Sequence, residues 1–177
     1  KYNVDFCCGG DRWVMEAIAR DTDDVAALLE DARTAMESML TRDSGKTLDA
    51  YTTEALIDRI VQTHHKYLRE TLPKLSELLF KLLSVHGENH AELYEIHKLY
   101  GALKTELESH LIKEEVKLFP KLLIGGQDCK GLIEELELEH DGAGDILHAL
   151  TDLTDHFKLP VDACTTYGIV YDLLKEL

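Results

Sequence analysis

The chain has 177 residues, enough for one well-buried domain with a small appendage and too few for two full domains. Its 34 acidic residues against 19 basic give a formal charge of -15, which repels nucleic acid and anionic membrane surfaces and leaves a cation or a protein as the better partner. No apolar run approaches the roughly 20 residues needed to span a bilayer, and residues 1–10 lack the apolar core of a signal peptide, so a soluble, cytoplasmic protein is expected.

Three prolines and eleven glycines punctuate the sequence, and Leu, Ala, Glu and Lys recur at helical spacing, which predicts an all-α chain. A small helical N-terminal domain is expected over residues 1–42, with helices at 13–20 and 24–40 and Asp23 as N-cap of the second. Residues 41–52, with Asp43, Ser44 and Gly45, read as a linker to a second domain over 52–177. There the stripe Val61, His65, Leu68, Leu72, Leu75, Leu79, Leu82, His86 steps by four and three, the buried face of one long helix that Pro73 can bend. Residues 87–89 turn the chain, and Ile96, Tyr100, Leu103, Leu107, His110, Glu114, Leu118 form a second stripe expected to end at Pro120. Gly125 and Gly126 break the chain. A third stripe runs Ile133, Leu136, His140, Ala143, Leu147, Leu150, and after Pro160 a fourth runs Ala163, Tyr167, Val170, Leu174, Leu177. Four amphipathic helices with short connections predict an up-down-up-down four-helix bundle.

His65, His110, Glu114 and His140 lie within these apolar stripes, where an unpartnered polar group costs on the order of several kcal/mol. A core hydrogen bond would explain any one of them. Four on the facing stripes of one bundle point instead to a shared cation, and His110 and Glu114, four apart, project one nitrogen and one carboxylate from the same helix face. Depth supports convergence: with a turn near residue 88, His65 lies 23 positions before it and His110 22 after it, each about 33 Å along its helix at 1.5 Å per residue. His140 lies 20 positions before the turn near Pro160, so its mate is expected beyond residue 177.

The same arithmetic removes His86, about 31 Å from His65 on the same helix unless Pro73 breaks it. His90, His97, His148 and His156 read as solvated surface, and His64 replaces His65 only if the helix is rotated by one position. A nitrogen and carboxylate shell suits iron or manganese better than structural zinc. Two ions are the natural load, because a bridging carboxylate can hold a pair about 3.5–4 Å apart, and such pairs bind or reduce small molecules such as O2 or NO. Glu106, one turn before His110, and Glu139, next to His140, are placed to hydrogen-bond ligands or deliver protons, the alternative being plain surface glutamates.

Of the four cysteines, Cys129 and Cys164 are isolated, and all four are expected to be reduced thiols. Cys7 and Cys8 precede Gly9 and Gly10, on a permissive backbone before a helix start that can lower a thiol pKa. That suits redox chemistry or the handling of a metal or cluster, or else the pair is simply buried.

Taken together, Tyr2-Asn-Val-Asp-Phe-Cys-Cys-Gly-Gly10, His64-His65, His110-Leu-Ile-Lys-Glu114-Glu, Leu118-Phe-Pro120 and Glu139-His-Asp141 resemble the iron–sulfur cluster repair di-iron proteins over nearly the whole chain. The Cys-Cys-Gly-Gly segment resembles the small N-terminal domain of that family, and the His and Glu motifs its hemerythrin-like domain. The resemblance implies two non-haem iron ions, with or without an oxo bridge, and a cytoplasmic role in restoring damaged iron–sulfur proteins under nitric oxide or oxidant stress, by iron delivery or by redox chemistry on NO or O2. It also implies a second His-x-x-x-Glu on the fourth helix, which falls past Leu177, so both ends are expected to be trimmed. The present residues then offer four ligands, enough for a single ion, manganese included, unless a homodimer donates the rest through a swapped helix. The rival expectations are a hemerythrin-like O2 or NO binding or sensing module, which needs no thiols, and a metal-free helical interaction module.

Overall fold

A computed structural model of the chain describes residues 25–42, 51–126 and 128–177, and of residues 25 and 35–42 only the backbone. The chain separates into two compact units, Lys1–Thr52 and Thr53–Leu177. In the first, α1 (Val25–Arg42) carries helix two residues beyond the point where a linker was expected to begin. The helix expected at 13–20, the Asp23 cap and the Cys7-Cys8 pair lie outside the described residues.

The second unit is built from two long helical arms. The first runs α2 (Thr53–Ile60), a π-helical turn π1 (Val61–His65) and α3 (Lys66–His86). The second runs α4 (Glu92–Lys113), a π-helical turn π2 (Glu114–Leu118) and α5 (Phe119–Leu123). Two further helices follow, α6 (Lys130–Leu153) and α7 (Thr165–Glu176). Helix α3 packs on α4 and α7, and α4 packs on α6, so the four main helices stand in the order α7, α3, α4, α6. The described residues contain no strand, and none of their helices is long and apolar enough to cross a membrane.

Why these residues form a bundle is visible in the spacing. Leu72, Leu75, Leu79 and Leu82 on α3, Leu93, Ile96, Tyr100 and Leu103 on α4, and Tyr167, Val170 and Leu174 on α7 step by three and four and are buried, joined by Ala143 and Leu150 of α6. Emptying one of these leucine sites to alanine typically costs about 2–5 kcal/mol. Pro73 sits inside α3 without ending it. It removes the bond its N–H would give to the Arg69 carbonyl, and one residue earlier the buried Tyr100 hydroxyl donates to the Leu72 carbonyl at 2.6 Å, pinning α4 to that turn.

Two expectations fail at helix ends. Pro120 does not end the second arm: α-helical register restarts at Phe119, which puts Pro120 in a first turn, where its missing N–H is not needed. The arm stops at Gly125 (φ 110°) and Gly126 (φ 67°), whose N–H groups donate to Leu122 and Lys121 carbonyls at 3.2 and 2.9 Å, a Schellman closure. Ile133, assigned to the third stripe, is exposed, because the buried line in the first turns of α6 passes through Cys129 and Leu132 to Leu136. Cys129 is a buried free thiol and Cys164 an exposed one.

Candidate metal centre

The two π turns place the site. Each inserts one extra residue into a helical arm, an irregularity that concentrates at functional positions, and His65 ends π1 where Glu114 begins π2. His65 is 1% and His110 5% exposed, so both imidazoles are core groups, whereas His64 is exposed. The Glu114 carboxylate lies between the two rings: its Oε2 is 2.9 Å from His65 Nε2 and 3.7 Å from His110 Nε2. One Glu114 oxygen thus lies near a nitrogen of each ring, so this carboxylate is within reach of whatever either imidazole binds.

Behind the two rings stands a second set of carboxylates. His65 Nδ1 is 2.7 Å from Glu115 Oε1, and Arg69 Nη2 donates to the other Glu115 oxygen at 2.6 Å. His110 Nδ1 is 3.0 Å from Glu139 Oε2. Lys113 donates to Glu139 and, at 2.6 Å, to Glu135. The hydrogen bond from Arg69 holds the Glu115 carboxyl below the usual range against the opposing effect of burial, with His65 adding to it. Burial pushes Glu139 upward, but Lys113 and His110 outweigh it and leave that carboxyl lowered as well. Glu135 and Glu139 in turn raise Lys113. Histidines that ligate metals are oriented in this way, through a carboxylate on the far ring nitrogen. Phe119 stacks on His65 with ring centroids 5.7 Å apart.

The donor chemistry fits a cation. A neutral imidazole has one N–H; if His65 donates it to Glu115, the lone pair on Nε2 faces the Glu114 carboxylate, a pairing that a cation bound between them makes attractive. His110 Nε2 is buried and has no hydrogen-bond partner among the described residues, although it points at the same carboxylate. A buried nitrogen left without a partner costs about 1–3 kcal/mol unless something binds it.

Of the residues singled out from sequence, the fold thus brings together His65, His110 and Glu114, with Glu139 behind His110. His140 is exposed; its ring lies beside that of His110, centroids 4.4 Å apart and tilted by 44°. Glu106 is exposed, its carboxylate 3.9 Å from where a β-carbon on Gly142 would stand. Glu115, Arg69 and Lys113 were not picked out, because by helical period they belong to outward faces; the signal available was the doublet Glu114-Glu115, which parallels His64-His65. His90, expected on the solvated surface, is instead half-buried and flanked by carboxylates, because Asp162 of the α6–α7 loop folds over it.

Comparison with known proteins agrees with this reading of the fold. The Hemerythrin HHE cation binding domain matches residues 56–177. Over its entire length the chain is similar to proteins named iron-sulfur cluster repair protein YtfE. It is 35% identical to that of Enterobacter sp. (strain 638), 34% to that of Shigella boydii serotype 4 and 33% to that of Cronobacter sakazakii, spanning 79% of each. The chain therefore belongs to the hemerythrin HHE cation-binding family and, within it, to the iron–sulfur cluster repair proteins.

Proposed function

We propose that this chain is a cytoplasmic non-haem di-iron protein that restores iron–sulfur clusters damaged by nitrosative or oxidative stress. One observation favours repair over simple gas binding: the hemerythrin match begins at residue 56, yet the similarity to the cluster repair proteins takes in all of the chain, including the segment with Cys7 and Cys8. A small N-terminal thiol domain over residues 1–42 joined to a metal-binding bundle is the organisation this requires. The paired imidazoles and the central carboxylate speak against a metal-free interaction module.

His65, His110, Glu114 and His140 would hold the iron, with Glu114 as the shared ligand. When bound, the ions supply one-electron chemistry and open positions for a ligand such as NO or O2. Glu115 fixes the His65 ring by its Nδ1, and Arg69 fixes Glu115. Glu139, steadied by Lys113, does the same for His110 and, being partly exposed, is placed to pass a proton between that ring and solvent. Cys7 and Cys8 would handle the cluster or its released iron.

The test is iron content and optical spectrum of the full-length protein purified without oxygen. Two irons per chain are expected, and Glu114→Ala should lose at least half of them; full retention would remove the bridging role. Wild-type protein that binds neither iron nor manganese would overturn the metal reading altogether.

A further inference from the structure

At the other end of α3 from His65, about 31 Å away at 1.5 Å rise per residue, stands a second group of metal-type donors that the iron site cannot use. His86 is the last residue of α3, and His90 lies one turn on, in the α3–α4 connection. The chain stays wound there: the His90 and Asn89 N–H groups both donate to the His86 carbonyl, at 2.9 and 3.0 Å. A β-carbon on Gly87 would collide with the Leu83 carbonyl oxygen, so glycine is needed for this closure. The two rings therefore face one space, with centroids 5.9 Å apart, each edge-on to Tyr167 at 5.6 Å.

Asp162, from the loop between α6 and α7, completes the set. Its two oxygens are 3.0 and 3.1 Å from His90 Nε2, and donor atoms of His86, His90 and Asp162 all lie within 4.8 Å of one another. No other trio of such residues among those described is as compact.

Two features set this group apart from an ordinary ion pair. The first is that His90 meets a carboxylate at each nitrogen: its Nδ1 is 3.1 Å from Glu92 Oε1, at the first residue of α4. That is the arrangement seen around His65, a ring oriented by one carboxylate while its other nitrogen is offered to a second. The other is that His86 Nε2 is buried without a hydrogen-bond partner among the described residues, as is the neighbouring Tyr167 hydroxyl. A buried nitrogen without a partner, beside an imidazole and a carboxylate, is a group that a bound cation would satisfy.

We propose that His86, His90 and Asp162 form a second, separate site for a divalent transition-metal ion of the zinc class, oriented by Glu92, which clamps the α3–α4 turn to the α6–α7 loop. Two imidazoles with one carboxylate favour zinc, cobalt or nickel and disfavour calcium and magnesium, which take oxygen shells. Ligands about 2.1 Å from a tetrahedral zinc stand about 3.4 Å apart, so the donors need close by only about 1.4 Å. His86 also belongs to the last turn of α3, where the helix dipole favours positive charge. The fourth position is left to water or to a ligand.

The experiment uses the full chain carrying His110→Ala and Glu114→Ala, so that zinc at the iron site does not obscure the count. Titration with zinc, followed by calorimetry and by the thermal midpoint, should show one equivalent bound and a raised midpoint. Adding Asp162→Asn or His90→Gln should weaken that binding at least tenfold, and calcium should give no response in any variant. Asp162 has a 59% exposed side chain, so its replacement reads the site even if the His90 variant proves unstable. Zinc binding unchanged by Asp162→Asn, or an equal response to calcium, would overturn the proposal.

Discussion

Glu115 offers the sharpest test of how the iron site is held. Replacing it with glutamine keeps the volume and one acceptor but removes the charge that draws on both the His65 Nδ1–H at 2.7 Å and the Arg69 guanidinium at 2.6 Å. Charge-assisted hydrogen bonds are roughly twice as strong as neutral ones, and losing the group that orients a metal-bound histidine typically costs about 10–100-fold in affinity. That corresponds to about 1.4–2.7 kcal/mol. Arg69→Ala, in contrast, breaks an ion pair whose arginine is half exposed and leaves the carboxylate on His65; such pairs contribute about 1 kcal/mol or less, so no more than about a fivefold change is expected. Chelator competition for ferrous iron on the full-length protein, with helix content checked by circular dichroism, separates the two. Equal affinity of Glu115→Gln and wild type, or a larger loss in Arg69→Ala, would refute the idea that the carboxylate orients His65.

Other consequences follow from the same structure. Cys7→Ser combined with Cys8→Ser should leave helix content and iron loading unchanged while reducing cluster repair in cells exposed to nitric oxide; undiminished repair would leave the pair only a structural role. Burial raises the phenols of Tyr100, Tyr167 and Tyr171 above their ordinary range. The unfolded chain can ionise them near pH 10 and the folded chain cannot, so this contribution to stability is intact below about pH 10 and declines as the pH rises further. Phenolate absorbance from these three should appear only together with loss of helix. Gly125→Ala should destabilise the bundle by about 1–2 kcal/mol in denaturant unfolding, because φ 110° suits no side chain, although open space surrounds the position.

Much of this protein could be read from its sequence, because the bundle is written in a simple code. Steps of three and four place Leu72, Leu75, Leu79, Leu82, Tyr100, Leu103, Tyr167 and Val170 on buried faces, and a bundle is the economical way to bury four such faces. His65, His110 and Glu114 stood out because they interrupt apolar stripes, and two residues equally far from one hairpin turn must meet. Helical period alone could not reveal the π turns, which rest on no residue type and yet allow Glu114 and Glu115, about 100° apart on a regular helix, to reach the same imidazole from opposite sides. It also could not show that Arg69 and Lys113 steady the carboxylates, since both belong by period to the solvent side. Nor could it join His90 to Asp162, 72 residues away. Stripes follow from local geometry, which every residue carries with it, whereas a carboxylate reaching an imidazole across helices, or a loop closing over a turn, depends on where separate segments come to rest after packing.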